Sequence, residues 1–246
     1  MWFYESIKPI ELLEGHKFIS FIGGGGKTSF IKYLAKEFSK KGEKVVITTT
    51  TKMWAEEPFL LLRGEEGLPV DLMSPFMVGK DVINGKITAI SEKEIEYLRL
   101  FFDKVLIEAD GAKTKPIKFP ASYEPAIPHI TEKVIVLCGL DSLFKRIDET
   151  VFRWGLLCRK TGIPGHELIN PELFFRFFSN DILLKGTEKK DLCIFLNKYD
   201  LCESRDIVFD MAKNLIRRLK INGIYISSIK FGMFYRVNHY ADIFKF

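Results

Sequence analysis

The sequence has no long apolar run, no strong excess of one charge, no closely paired cysteines and no internal repeat. Its longest clear apolar run, Val134 to Leu140, is far shorter than the roughly 20 residues that a transmembrane helix needs. The segment from Met1 to Gly15 has no basic stretch ahead of an apolar one, so we expect no signal peptide. We therefore expect a cytoplasmic protein that makes no membrane contact.

Charge and cysteine content exclude further classes of protein. The 246 residues include 37 Lys and Arg against 32 Asp and Glu, and no basic stripe is interleaved with aromatic residues, so nucleic acid is not an expected partner. Cys138, Cys158, Cys193 and Cys202 form no C-x-x-C pair, and we expect buried, reduced thiols. The 47% hydrophobic content is enough for the core of one α/β domain over residues 1–246.

Strand and helix signals alternate along the chain. This alternation predicts an α/β fold with a doubly wound, mainly parallel sheet and helices on both faces. The first unit is a strand over Lys17–Ile22, a helix over Thr28–Lys41 and a strand over Lys44–Thr48. The later predicted elements are a helix over Glu92–Phe102, strands over Lys104–Glu108, Val134–Cys138, Asp191–Leu196 and Gly223–Ile226, and a helix over Ser204–Leu219.

Three segments interrupt the alternation. Residues 52–91 are predicted to be an insertion with a β-hairpin around Asn84-Gly85, a pair that favours a type I′ turn. Residues 141–190 are predicted to be mainly helical. The segment from Gly111 to Pro128 is rich in proline and is expected to form a solvated loop. The basic residues of this loop are Lys113, Lys115 and Lys118.

The most informative motif is the glycine loop, Gly23-Gly24-Gly25-Gly26-Lys27-Thr28, between a predicted strand and a predicted helix. Residues without a Cβ let backbone N–H groups converge on a phosphate chain, and the helix N-terminus adds a favourable field. Lys27 would supply a catalytic positive charge and Thr28 a hydroxyl for Mg²⁺, with Ser29 beside them. The motif predicts a P-loop NTPase, in the shorter G-G-x-G-K-T form of the loop.

A second motif, Asn197-Lys198-Tyr199-Asp200, directly follows a predicted strand. Guanine presents N1–H and N2–H as adjacent donors, which the carboxylate of Asp200 could accept together, whereas adenine has no such pair. Asn197 would brace the loop, and the stem of Lys198 would pack along the base. Ser227, in the Ser-Ser pair after the last predicted core strand, would lie behind the same base. The motif favours GTP over ATP.

A third motif, Glu108-Ala109-Asp110-Gly111, ends the predicted strand at 104–108. A carboxylate here could hold the shell of Mg²⁺, while the N–H of Gly111 approaches the terminal phosphate. Glu108 has the three-residue spacing to Gly111, whereas Asp110 lies nearer the expected phosphate and would position the attacking water. Of the threonines at 48–51, one hydroxyl, assigned to Thr50, would also reach Mg²⁺ or the γ-phosphate.

Several stretches resemble the YqeC family, described as accessory proteins of selenium-dependent hydroxylases or of selenium cofactor biosynthesis. In chain order the matching stretches are FIGGGGKTSF, VVITTTTKMW, LIEADGAKTKPIKFPASYEPAIP, VLCGLD, INPE, LLKG and FLNKYDL. The resemblance implies a role in maturing selenium-dependent molybdenum hydroxylases, with a client hydroxylase or a cofactor-maturation protein as partner. The layout is also similar to the metallocentre-maturation GTPases that serve urease and hydrogenase, and this similarity favours Glu108 for Mg²⁺.

Three functions are compatible with these motifs, because each needs one phosphate cradle. The first is a slow Mg²⁺-dependent GTPase that assists cofactor or metal-site assembly, with Arg153 as the single nominee for an arginine finger. The second is a phosphate- or nucleotidyltransferase acting on a small selenium or pterin compound. The third is a nucleotide-gated binding module in which hydrolysis is incidental.

Overall fold

The computed structural model describes residues 2–62, 74–221 and 223–239, so the part of the predicted insertion at 63–73 lies outside the described residues. The strands are β1 (Trp2–Ser6), β2 (Phe18–Gly23), β3 (Val45–Thr49), β4 (Lys52–Trp54), β5 (Phe59–Leu61), β6 (Phe76–Gly79), β7 (Val82–Ile83), β8 (Lys86–Thr88), β9 (Lys104–Glu108), β10 (Ile117–Lys118), β11 (Lys133–Gly139), β12 (Val151–Phe152), β13 (Asp191–Asn197), β14 (Ile224–Ser228) and β15 (Met233–His239). The α-helices are α1 (Lys27–Lys40), α2 (Glu92–Tyr97), α3 (Ile147–Thr150), α4 (Trp154–Thr161), α5 (Pro171–Arg176) and α6 (Val208–Leu219). Short 3₁₀ helices cover Pro9–Leu13, Leu98–Leu100, Leu140–Ser142, Tyr199–Leu201, Arg205–Ile207 and Ile229–Phe231.

One large sheet organises the chain. It has 10 strands in the order β1-β15-β14-β13-β11-β2-β9-β3-β6-β5. All neighbours from β14 to β5 are parallel, whereas β15 runs antiparallel to β14 and β1 antiparallel to β15. The central strands β2, β9 and β11 are buried along their whole length, as strands covered on both faces must be. The prediction of a mixed α/β protein with a large, mostly parallel sheet is confirmed.

Helices cover both faces of the large sheet. Alternate residues of β2 point to opposite faces, and they belong to different buried clusters. Phe21 packs edge-on against Phe30 of α1, with ring centroids 6.1 Å apart. Ile22, on the other face, shares a buried cluster with Leu157 of α4 and Met211 of α6. The start of α1 is therefore held directly beyond the end of a central strand.

Residues 52–91 divide between two sheets. The expected hairpin is present as β7 and β8, with Asn84 at φ 52° and Gly85 at φ 71°, as a type I′ turn requires, and β4 completes a 3-stranded sheet with it. The strands β5 and β6 instead extend the large sheet beside β3. Val78 of β6 is fully buried in the core. The expectation that the whole segment stands apart from the core is wrong for this strand.

The segment at 141–190 contains fewer helical residues than predicted. Its α-helices have 4, 8 and 6 residues, and turns make up most of the rest. Gly162, at φ 73°, ends α4, and Pro164 prevents an immediate restart. Across residues 2–62, 74–221 and 223–239, every helix is too short or too polar to cross a membrane.

The cysteines are free thiols. Cys138, Cys193 and Cys202 are buried, and burial raises the pKa of each of these thiols above its ordinary value. They therefore stay protonated near neutral pH and behave as small apolar side chains. Cys158 on α4 differs from the expectation because it is only partly buried.

Candidate functional site

The glycine loop joins the end of β2 to the start of α1 and is enclosed by the backbone of two other segments, at 115–116 and 137–139, and by the Asn197 side chain. Gly23, Gly25 and Gly26 have φ values of 92°, 77° and 122°, a region that favours glycine. A Cβ added at Gly23 would lie 2.2 Å from the Leu137 carbonyl oxygen, and one added at Gly24 would lie 2.6 Å from the Pro116 carbonyl oxygen. A Cβ added at Gly25 would lie 2.5 Å from the Gly139 nitrogen, and one added at Gly26 would lie 2.7 Å from Asn197 Nδ2. Each position excludes a larger residue for a steric reason.

The amides of the glycine loop fall into two groups. The first helical hydrogen bond of α1 runs from Phe30 N–H to the Gly26 carbonyl at 3.0 Å, so Lys27, Thr28 and Ser29 have amides without an acceptor inside the helix. By contrast, the Gly24 N–H donates to the Leu137 carbonyl at 2.9 Å and the Gly25 N–H to the Lys115 carbonyl at 3.0 Å. The amides available to an anion are therefore those at the helix start.

Lys27 and Asp110 form a buried ion pair at the glycine loop. Lys27 Nζ lies 2.9 Å from Asp110 Oδ1, and both side chains are only 4% exposed. Lys27 also donates to the Gly23 carbonyl, while the Gly23 N–H donates to Asp110 Oδ2 at 2.9 Å. Asp110 is thus the counter-ion of Lys27 and a clamp on the loop. The sequence-based prediction that it positions a water molecule stays a prediction.

Glu108 lies beside the start of α1. Thr28 Oγ1 donates to Glu108 Oε2 at 2.7 Å, and the Glu108 side chain is almost completely buried. Burial raises the pKa of this carboxyl, although the nearby Lys27 and the hydrogen bond from Thr28 act in the opposite direction. A hydroxyl and a carboxylate are oxygen ligands of the type Mg²⁺ prefers, so this pair fits the predicted metal. Gly111, three residues on, faces open space.

The threonines at the end of β3 and directly after it donate hydrogen bonds to backbone carbonyls of neighbouring segments. Thr48 Oγ1 donates to the Val78 carbonyl at 2.9 Å and Thr49 Oγ1 to the Glu108 carbonyl at 2.8 Å. The hydroxyl predicted to reach Mg²⁺, that of Thr50, donates to the Ala126 carbonyl at 2.8 Å. The described part of the chain contains no group of three or more His, Cys, Asp and Glu side chains that could hold a metal. Thr28 and Glu108 are therefore the best-placed metal ligands.

The base corner, which we define as Asn197–Asp200 with Ser227 and Ser228, is tied to the glycine loop. Asn197 Nδ2 donates to the Gly25 carbonyl at 2.7 Å. Asn197 Oδ1 accepts from Ser227 Oγ at 3.1 Å and from the Ile229 N–H at 3.2 Å. Asn197 therefore connects the corner to the glycine loop, and Ser227 is fully buried behind Asn197.

Lys198 and Asp200 are less buried than Asn197. Lys198 has φ 64°, and its ammonium lies 2.8 Å from Asp141 Oδ2. Asp200 Oδ1 accepts from Ser228 Oγ at 2.5 Å, which orients the carboxylate. The Asp200 side chain stays partly exposed at the edge of a groove. Its carboxylate therefore keeps acceptor capacity for another molecule.

A groove of about 600 Å³ connects the start of α1 with the base corner. It is lined by Gly26, Ser29, Lys32, Tyr33, Lys36, Asn197, Lys198, Asp200, Leu201, Ile229 and Lys230. Its volume is typical of small-molecule sites, and its lining carries more lysines than acids. The sequence reasoning missed Lys32, Tyr33 and Lys36, although their helical spacing from Ser29 puts them on one face of α1.

The proline-rich loop was expected to be solvated, but Lys118 is only 1% exposed. Its ammonium lies 2.9 Å from Glu124 Oε1 and 3.4 Å from Asp110 Oδ2, and burial lowers the pKa of Lys118 to about 8. Arg153, nominated as an arginine finger, ion-pairs with Glu124 and lies 4.9 Å from the Phe152 ring centroid. The expectation was wrong for Lys118, because the charges of this loop neutralise one another inside the protein.

The fold and site define an α/β protein in which a glycine-lined turn connects a central parallel strand to a helix. The chain belongs to the YqeC family, because a family model described as YqeC protein matches residues 19–155. The uncharacterized protein YqeC of Escherichia coli strain K12 is 35% identical over 155 residues, which cover 59% of this chain and 60% of that protein. The chain thus aligns with less than two thirds of this curated relative, and no solved structure matches it.

Proposed function

We propose that this protein is a P-loop nucleoside-triphosphate-binding protein and a slow Mg²⁺-dependent GTPase. The observation that carries the proposal is the groove between Ser29 and Asp200, whose two ends are linked by the hydrogen bond from Asn197 to Gly25. A phosphate cradle and a carboxylate suited to a base therefore belong to one rigid site. The family match ends at residue 155, so the base preference rests on this geometry and on the motif at 197–200.

The phosphate end of the proposed site comprises the glycine loop with Glu108 and Asp110. Here the free amides of Lys27, Thr28 and Ser29 and the helix N-terminus favour an anion. In this proposal the Lys27 ammonium exchanges Asp110 for a phosphate oxygen. Mg²⁺ would be held by Thr28 and Glu108, where it would neutralise phosphate charge. The exposed Lys36 and Lys230 add positive charge along the groove, whereas the ammonium of Lys32 is already paired with Glu56.

At the base corner, Asp200 would accept N1–H and N2–H of guanine together, while adenine would leave the carboxylate without donors. A buried or half-buried acceptor that loses its donors costs about 1–3 kcal/mol, or about 5- to 150-fold in affinity. Slow turnover fits this site, because Arg153 is already engaged by Glu124 and is not free to stabilise charge on a transferred phosphoryl group.

The test is isothermal titration of the protein with GTP and with ATP, each with Mg²⁺. We expect GTP to bind at least about tenfold more tightly than ATP. The change Asp200→Asn should weaken GTP binding and improve binding of xanthosine triphosphate, because xanthine carries an acceptor oxygen where guanine carries the N2 amino group. Equal or ATP-preferring affinity of the unchanged protein would overturn the guanine assignment.

Two variants serve as controls in this titration. Lys27→Ala should remove binding of both nucleotides, since it deletes the only phosphate-facing ammonium of the glycine loop. Asp210→Asn, at an exposed aspartate paired with Lys213 on α6, should leave both affinities unchanged. Undiminished binding by Lys27→Ala would contradict the phosphate cradle itself.

We further propose that nucleotide binding serves the maturation of a selenium-dependent molybdenum hydroxylase. This part rests on the family resemblance, and membership of the YqeC family supports it. The experiment is affinity capture from a cell extract with the protein loaded with a non-hydrolysable GTP analogue or with GDP. Recovery of a molybdenum hydroxylase, or of a protein that assembles its cofactor, in one nucleotide state is the expected result. Identical recovery in both states would contradict nucleotide-gated assistance.

A further inference from the structure

A second cavity, of about 590 Å³, lies between α4, α5 and the segments at 119–120 and 179–185. It shares no lining residue with the groove at the glycine loop. Its volume falls in the range of small-molecule sites. This cavity is therefore a different place in the fold, and a ligand bound there would not depend on nucleotide binding.

The floor of this cavity is apolar and continuous with the buried core. Phe119, Leu157, Leu173 and Phe177 line it, and each belongs to the buried core of that face of the sheet. Because these side chains are packed on their inner side, they present a preformed apolar surface rather than one that must reorganise. An aromatic or aliphatic ring placed here would lose water contact on the face that packs against this floor, and loss of water contact is the main driving force for apolar ligands.

The wall at 119–122 is held in place by one lysine. Lys185 Nζ donates to the carbonyls of Ala121 and Ser122, each at 2.8 Å. These bonds satisfy its ammonium and connect the two segments that border the cavity. Lys185 is therefore a structural cation of this site.

Two other cations line the cavity and stay exposed. These are Lys160, in the last turn of α4, and Arg176, the last residue of α5. Within the described residues, neither side chain has an ion-pair or hydrogen-bond partner. Glu172, which lies close enough to Arg176 for its pKa to be lowered by it, has its carboxylate bound by Arg218 at 2.7 and 3.1 Å. Asp181 is the acidic residue in the lining. Positive charge therefore exceeds negative charge around an apolar floor.

We propose that this cavity is a second ligand site for a small organic anion with an apolar ring system and a carboxylate, sulfonate or phosphate group. The ring packs on Phe119, Leu157 and Phe177, and the anionic group pairs with Lys160 and Arg176. Arg176 supplies a planar fork that matches an oxyanion, whereas Lys160 supplies a point charge. A small molecule fits better than a protein segment, because the apolar surface is concave and is bordered by four segments.

The test uses 8-anilinonaphthalene-1-sulfonate with the full chain, read by fluorescence titration. We expect saturable binding at one site, about tenfold weaker in the double variant Lys160→Glu/Arg176→Glu, since each reversed charge removes one pairing and adds repulsion. The matched control is Arg159→Glu, an exposed neighbour on α4 outside the lining, which should leave the affinity unchanged. Non-saturable binding, or an equal loss in the control, would overturn the proposal.

Two further measurements locate the probe. N-phenyl-1-naphthylamine has the same ring system without the sulfonate, so its affinity should change less than about twofold in the double variant. In methyl-labelled protein, the probe should shift the resonances of Leu157 and Leu173, and excess GTP with Mg²⁺ should not displace it. Displacement by nucleotide, or shifts confined to other leucines, would assign the probe to another place and overturn the second site.

Discussion

The phosphate end and the base corner of the groove differ in how their charges are satisfied. At the phosphate end, the Lys27–Asp110 ion pair is buried, so each of these charges already has a partner. At the base corner, Asp200 is held by Ser228 at one oxygen and remains partly exposed. In the proposed function, Lys27 would have to exchange an internal partner for a ligand, whereas the Asp200 carboxylate is already accessible to one.

The difference has an energetic meaning. A buried ion pair compensates its own desolvation, and breaking it costs several kcal/mol unless the incoming group supplies equivalent bonds. Under the proposed function, a phosphate chain with Mg²⁺ would supply them to Lys27, so the phosphate end would discriminate between an empty and a loaded state. The base corner, which would need less rearrangement, would then select the nucleotide.

The largest expected effect on stability comes from adding a side chain where the glycine loop packs closely against neighbouring backbone. Gly25→Ala places a Cβ 2.5 Å from the Gly139 nitrogen, and we expect the free energy of unfolding to fall by about 3 kcal/mol or more. Gly42→Ala has a similar φ, 86°, but no atom within 4 Å of the added Cβ, so about 1 kcal/mol is expected. Urea unfolding followed by circular dichroism measures both. Equal losses would show that only backbone conformation matters there.

The next effect compares the same chemical change at the two ends. Asp110→Asn removes the counter-ion of Lys27 and a negative charge beside the proposed phosphates, so affinity for nucleoside triphosphate should rise about tenfold. Asp200→Asn should lower the affinity for GTP. Titration calorimetry of both variants with GTP and Mg²⁺ checks the opposite signs. Unchanged affinity with lost turnover in Asp110→Asn would instead support the water-positioning role.

The smallest expected effect concerns the charges behind the phosphate end. Folding lowers the pKa of Lys118 from 10.5 to about 8, so between these values the unfolded chain binds more protons and stability rises with pH. We expect a gain of about 0.8 kcal/mol in the free energy of unfolding from pH 7 to pH 8.5, and no such gain in Lys118→Met. Urea unfolding at the two pH values measures it. Parallel pH dependence in the two proteins would mean that Lys118 keeps an ordinary pKa.

The fold class was predictable from local patterns. Apolar runs of strand length alternate with helical spacing, and the residue pair Asn84-Gly85 formed the turn expected of it. The edge strand β1, its neighbour β15 and the core strand β6 were not predicted as parts of the large sheet. The edge strand β1 buries little, and β6 is a run of four residues that ends at Gly79 just before the hairpin, so neither has a periodicity that distinguishes a sheet strand from an insertion.

Within the candidate site, the sequence predicted features that depend on neighbouring residues in the chain better than contacts between distant residues. The glycine loop, Thr28 beside Glu108 and the bracing role of Asn197 could be inferred, because each depends on a strand end or a helix start. The partner of Lys27 could not, since Asp110 lies 83 residues away and competes with Glu108 for any carboxylate role. The burial of Lys118 was also unpredictable, because it depends on Asp110 and Glu124 converging from separate turns.

By itself, the sequence determined the α/β class, the absence of a long apolar span, and the residue types available at each strand end. Those features follow from composition and from the periods of strands and helices, which are properties of neighbours along the chain. Only the tertiary structure decided which charges are internal partners and which remain free. Ion pairs such as that between Lys27 and Asp110 depend on distances that the packed sheet sets. Burial depends on all elements together, and it determines whether each charge must be neutralised.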